Sequence, residues 1–151
     1  MADRIEAFVK QQPLPTQAFF ALVDATAELV GISEKYWQSK GINGARIRIL
    51  VEIAKEGGRI LPSLLAQNIG VTKANISLLL TPLEQDGLIS RATHPEDGRK
   101  SVISLTAEGQ KLLFKHLPDN RQVIAEALEG LTEQELHQLL FLLGKIKRRE
   151  G

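Results

Sequence analysis

A chain of 151 residues with net charge +1, 43% hydrophobic and 25% charged residues is a domain-sized globular protein, long enough to bury a real core. It contains no cysteine, which excludes disulfides and thiol-based sensing. No segment reaches the roughly eighteen apolar residues of a membrane span, and MADRIEAFVKQQPLP has acidic and polar residues where a secretory signal needs an apolar core. The expected location is therefore the cytoplasm.

Residues 16–37, TQAFFALVDATAELVGISEKYW, carry a long helical pattern interrupted only by Gly31. Phe19, Phe20, Leu22, Val23, Leu29 and Val30 give it a broad apolar face. ARIRILVEIAKEGG follows as a further helix, ended by Gly57-Gly58. Residues 61–85 then read as two short helices joined by a tight turn. Ala66 is small enough to let the second helix approach closely. Gly70 takes the positive φ that ends the first helix, and the Thr72 hydroxyl caps the next. Counted at 3.6 residues per turn from Thr72, Ile76, Leu79, Leu80 and Leu83 share about a third of the circle. Ala74, Ser77, Leu78 and Thr81 lie opposite, flanked by Lys73 and Asn75. Pro82 lacks an amide and clashes with the preceding turn, so it kinks this helix or cuts it short. Taken alone, the pair fits equally well an ordinary αα-hairpin packed in a helical domain.

The next segment separates those readings. Residues 88–92 and 101–105 are short, with β-branched residues and partial alternation, and they flank the charged tip Thr93-His94-Pro95-Glu96-Asp97-Gly98-Arg99-Lys100. Asp97-Gly98 suits a turn because glycine tolerates φ > 0, and His94 is most simply a solvated turn residue. Thr106 caps a helical stretch over 108–128, which is broken or bent near Pro118. Thr132 and Glu135 form a capping box ahead of Leu136, Leu139, Leu140, Leu143 and Ile146, spaced for one helix face. The basic run Lys145-Ile146-Lys147-Arg148-Arg149 is expected to complement the dipole at that helix's C-terminus, with DNA contact the less favoured alternative.

Two helices followed at once by a charged hairpin make a winged helix-turn-helix, in which the second helix enters the major groove. The expected fold is mainly α with a small β-hairpin wing, flanked by N- and C-terminal helices. The chain is expected to form a single domain, with a DNA-binding lobe over 45–106 and a helical dimerisation lobe from 1–44 and 107–151. On the recognition helix, Thr72, Lys73 and Ser77 suit phosphate contacts, Asn75 suits adenine and Leu78 a thymine methyl. Within 70–88, Lys73 stands against Glu84 and Asp86, so positive charge must come from the wing (Arg91, Arg99, Lys100) and from dimerisation. The apolar terminal helices either cover an intramolecular core or form a dimer interface.

The run LAQNIGVTKANISLLLTPLEQDGLISR, with HPEDGRKSVISLTAEGQKLL after it, resembles the MarR family of bacterial transcription regulators. The likeness extends from about residue 45 to the C-terminus and is most specific at Asp97-Gly98-Arg99 and 104–109. It implies that Arg99 reaches into the minor groove and that Asp97 holds the wing's shape. It also implies a homodimer intertwined through both ends, a near-palindromic double-stranded DNA operator, and an effector such as an aromatic acid held near Tyr36, Trp37 and Arg46. The chain departs from the family at Leu78, where arginine is frequent, and at Pro82.

No enzyme is expected, because no nucleophile–base set can be assembled. His94, His116 and His137 lie in separate segments without ligand spacing, so neither metal nor cofactor is expected. The function read from the sequence is a dimeric, sequence-specific, ligand-responsive repressor. The alternative is a winged-helix protein-interaction module with weak or lost DNA binding, consistent with Leu78, Pro82 and the low net charge.

Overall fold

The computed structural model describes residues 2–147, so Arg148 and Arg149 of the basic tail lie outside the described residues. The order of elements is α1 (Ala2–Lys10), α2 (Leu14–Ser39), α3 (Gly44–Lys55), β1 (Arg59–Ile60), α4 (Pro62–Ile69), α5 (Lys73–Gln85), β2 (Ile89–Thr93), β3 (Ser101–Leu105), α6 (Ala107–Ala127) and α7 (Glu133–Lys147). No described helix is long and apolar enough to cross a membrane. The chain divides into two compact units, Glu34–Gln122 and the two ends together (1–33 with 123–151), with the boundaries inside α2 and α6.

The central unit holds the core. Ile47, Ile49, Leu50 and Ile53 of α3 pack with Leu65 and Ala66 of α4 and with Ile76, Leu80 and Leu83 of α5. Ile60, Ile89 and Ile103 close the core from the sheet, and Trp37 and Leu113 join it from α2 and α6. Those last two carry the unit beyond residues 45–106 at both ends. The strands form an antiparallel sheet in the order β1-β3-β2. Ile89 pairs with Leu105 and Thr93 with Ser101 across the hairpin, and Ile60 of β1 pairs with Ile103 on the other side. The expected hairpin is thus the larger part of a three-stranded sheet; β1, two residues long, is too short to show a period of its own.

Several local expectations are met by their own chemistry. Gly70 ends α4 at φ 87, and its amide bonds to the Ala66 carbonyl. The Thr72 hydroxyl accepts from the Asn75 amide at 3.2 Å. Thr106 Oγ1 accepts from the Gly109 amide and donates to the Gly87 carbonyl at 2.6 Å, which ties the start of α6 to the end of the recognition helix. Thr132 and Glu135 exchange both bonds of the capping box, at 2.9 and 3.1 Å.

Three expectations need correction. Pro82 does not cut α5 short, and Pro118 does not break α6; both helices run through their proline. The carbonyls left without a helical donor belong to the residues one turn earlier, Leu78 and Phe114. Both residues are exposed, at 73% and 79%. The third correction concerns Gly98, which has no positive φ; the wing turns by other means, described below.

The unit made of the two ends differs in character. Among its described residues none is buried, and Phe8, Phe19, Phe20, Leu140 and Phe141 are each more than half exposed. An apolar surface of this extent marks an association face.

Candidate nucleic-acid interface

The recognition helix is placed by burial of one face. Ile76, Leu80 and Leu83 are at most 1% exposed, and this leaves Lys73, Ala74, Asn75, Ser77, Leu78 and Thr81 outward. The Thr81 hydroxyl donates back to the Ser77 carbonyl at 3.0 Å, so it is satisfied within the helix. Asn75 and Leu78 stand exposed on the same outward face.

The wing owes its shape to side chains. The His94 amide donates to the Lys100 carbonyl at 2.8 Å, closing the hairpin, and the Lys100 amide donates to the Asp97 carbonyl at 3.1 Å. Asp97 Oδ1 accepts from both the Arg99 amide, at 3.0 Å, and Arg99 Nε, at 3.3 Å. His94 Nδ1 accepts from the amides of Glu96 and Asp97, at 3.1 and 3.3 Å. His94 is therefore half-buried and engaged rather than a solvated turn residue. The turn chemistry that glycine was expected to supply comes from these two side chains.

Helix and wing enclose a cleft of about 450 Å³ lined by Leu61, Pro62, Ser63, Lys73, Ile76, Ser77, Arg91, Arg99, Lys100 and Ser101. Four cations and three hydroxyls converge there, a donor set suited to phosphate oxygens. Each of the two acids that weighed against a basic surface has a basic partner: Glu84 meets one of the cleft cations and offsets part of its charge, and Asp86 meets a residue outside the cleft. Glu84 lies 3.5 Å from Arg91 Nε, and Asp86 lies 3.1 Å from Arg46 Nη1. Arg99 keeps its side chain 92% exposed despite its contact with Asp97. The expected residues Lys73, Ser77, Arg91, Arg99 and Lys100 thus meet in one cleft, with Thr72 capping beneath, Asp97 orienting Arg99, and Asn75 and Leu78 on the adjoining helix surface. Ser63, at the start of α4, was not singled out in the sequence; only its position after a Pro at a helix start hinted at an N-terminal role.

The residues expected near an effector are committed within the lobe. Trp37 is 2% exposed. The Tyr36 hydroxyl donates to the His116 carbonyl at 3.0 Å, and Arg46 is paired with Asp86. Burial lifts the Tyr36 phenol above its ordinary value of 10.0, and the Asp119 carboxylate adds to the lift. None of the three lines the cavity of about 410 Å³ between the end of α3 and α6. Ala54, Leu105, Leu113, Phe114 and Leu117 make its walls apolar, and Gln110 and Arg121 supply its polar groups.

A helix-turn-helix followed by a wing, with a cation-lined cleft between them, defines a winged-helix DNA-binding protein. The MarR family profile matches residues 40–100. The chain is 33% identical over 151 residues to the HTH-type transcriptional repressor YetL of Bacillus subtilis, covering 99% of this chain and 90% of that one. It shares its fold with a mutant MarR of E. coli complexed with operator DNA (TM-score 0.75, 22% identity, 88% of this chain and 94% of the other). It also shares the fold with BpsR of Bordetella bronchiseptica, whose DNA binding is regulated by 6-hydroxynicotinic acid (TM-score 0.77, 20% identity, 90% and 96%). The chain belongs to the MarR family of DNA-binding transcription regulators. The protein-interaction alternative is not favoured.

Proposed function

We propose that the chain is a dimeric repressor that clamps its operator between the recognition helix and the wing of each copy. The observation that carries this reading is the convergence of Lys73, Arg91, Arg99 and Lys100 with Ser63, Ser77 and Ser101 on one cleft. Asn75 and Leu78 read bases beside it. The exposed apolar faces of α1, α2 and α7 pair with those of a second copy, and a two-fold axis then sets two half-sites about one helical turn apart. Fluorescence anisotropy with the DNA upstream of the protein's own gene, against a random duplex of equal length, tests the proposal. Tighter binding to the upstream duplex at two salt concentrations is expected. Equal, weak binding to that duplex and to sites selected from a random pool would overturn the repressor reading.

The effector we propose is a small aromatic acid, the class to which the regulator of BpsR belongs. The cavity beside α6 suits it in size and chemistry, with apolar walls for a ring and Arg121 for a carboxylate. Ala54→Trp, which fills the cavity, is expected to leave operator binding intact and to abolish release by 6-hydroxynicotinic acid or a related compound active on the parent protein.

A further inference from the structure

We infer that His94 is a protonation-sensitive latch for the wing, and hence a positioning residue for Arg99. The inference rests on the reading of Arg99 as a DNA contact. Nδ1 of His94 accepts from the amides two and three residues ahead, at 3.1 and 3.3 Å, and the second of these is the amide of Asp97. Asp97 in turn holds both the amide and the Nε of Arg99. The chain of bonds thus runs from an imidazole nitrogen, through one backbone amide, to the guanidinium that lines the cleft. Such an arrangement exists only while Nδ1 carries no proton.

Histidine is the side chain that ordinarily changes charge between about pH 5 and 8. A charged imidazole has two N–H donors and no acceptor. Protonation therefore sets an N–H against two amide N–H groups, and the turn that places Asp97 opens. The same protein solves the same geometric problem without a titrating group. At the start of α3, Asn43 Oδ1 accepts from the amides of Ala45 and Arg46, again two and three residues ahead, at 2.8 and 3.4 Å. The charged groups around the His94 ring are Glu96 and Asp97 of its own turn, Lys100 across the hairpin, and Glu56 and Arg59, which share a cleft with it on the side of β1. Glu56 and Glu96 can meet an imidazolium once the turn has opened.

The sign of the effect separates this device from simple electrostatics. A cation added beside DNA strengthens attraction to phosphate, whereas an opened latch weakens binding. Operator affinity is expected to fall about tenfold between roughly pH 7.5 and pH 5.5, the scale of one or two lost hydrogen bonds. His94→Asn keeps an acceptor that does not titrate, so it should bind like the parent at the higher pH and lose most of the fall. His94→Phe should bind at the higher pH as weakly as the parent does at the lower. Since every variant keeps His116 and His137, the asparagine variant isolates the contribution of His94. A parent-like pH fall in His94→Asn, or parent-like binding by His94→Phe, overturns the latch. Arg99→Ala is the control for the underlying reading. If it binds like the parent, the wing contact itself fails; if it weakens binding while the His94 variants do not, only the latch fails. Should His94→Phe fold poorly, the free parent protein decides by NMR: the Glu96 and Asp97 amide resonances must move together with the His94 ring titration, and their failure to do so overturns the proposal.

Discussion

Arg46 at the start of α3 holds Asp86, the residue that closes the recognition helix, with Nη1 3.1 Å from Oδ2. Both side chains are more than a third exposed, so the pair adds little to stability. Its consequence is electrostatic, because with Glu84 drawn to Arg91, neither acid of this segment faces the cleft without a counter-charge.

The cleft cations fix an expected salt dependence. Three or four phosphates neutralised by each copy correspond, for a dimer, to a slope of log K against log salt of about −5 to −7. Lys73→Ala removes one contact per copy and should make that slope shallower by about 2, weakening operator and random DNA alike. A slope unchanged by the substitution would place Lys73 away from the phosphates.

Gly109 tests how closely α6 sits against the hairpin. A Cβ there would meet the Leu88 carbonyl oxygen and the Leu105 side chain, which lies at 2.7 Å. Backbone on one side leaves little room to yield, so Gly109→Ala should destabilise the lobe by about 1–3 kcal/mol despite the higher helix propensity of alanine. A denaturant midpoint at or above that of the parent would contradict the close approach.

What the sequence made legible was whatever obeys a local rule. The apolar arc of α5 has a 3.6-residue period, and Ile76, Leu80 and Leu83 are buried accordingly. The caps at Thr72, Thr106 and Thr132 follow from hydroxyls ahead of helical runs. Illegible were features decided by distant partners. Arg59 and Ile60 form a strand only because Ser104 and Ile103 lie beside them. Trp37 looks like part of a terminal helix until its burial assigns it to the DNA-binding unit. At the cleft, the residue types were readable, but the pairing of Glu84 and Asp86 was not, since their partners lie 7 and 40 positions away. The wing tip misled because Asp-Gly signals a turn through glycine, whereas here His94 and Asp97 supply the acceptors.

The apolar ends predict obligate pairing. Leu140 of α7 is 67% exposed, with Phe141 and Leu142 beside it also more than half exposed. Leu140→Asp places a charge where a second copy would bury the site, and a charge buried without a partner is strongly destabilising. Sedimentation velocity should show the variant shifted from dimer toward monomer, with operator binding weakened in step. A stable dimer that still binds normally would locate the interface elsewhere.

Tyr36 is the only tyrosine in the chain, so its ionisation can be followed by ultraviolet absorbance without interference from another phenol. Burial and the Asp119 carboxylate both hold the neutral form, and the hydroxyl remains a donor to the His116 carbonyl. The midpoint in the folded protein should therefore lie above 10.0, and in denaturant it should fall back to that value. Because the phenol is harder to ionise in the folded state, its contribution to stability is complete below the unfolded value and fades as pH rises through the folded one. Tyr36→Phe should flatten the alkaline limb of the stability profile and cost about 1 kcal/mol near neutrality, where the hydrogen bond is lost. A midpoint at or below 10.0 in the native protein would show that neither burial nor Asp119 governs the phenol.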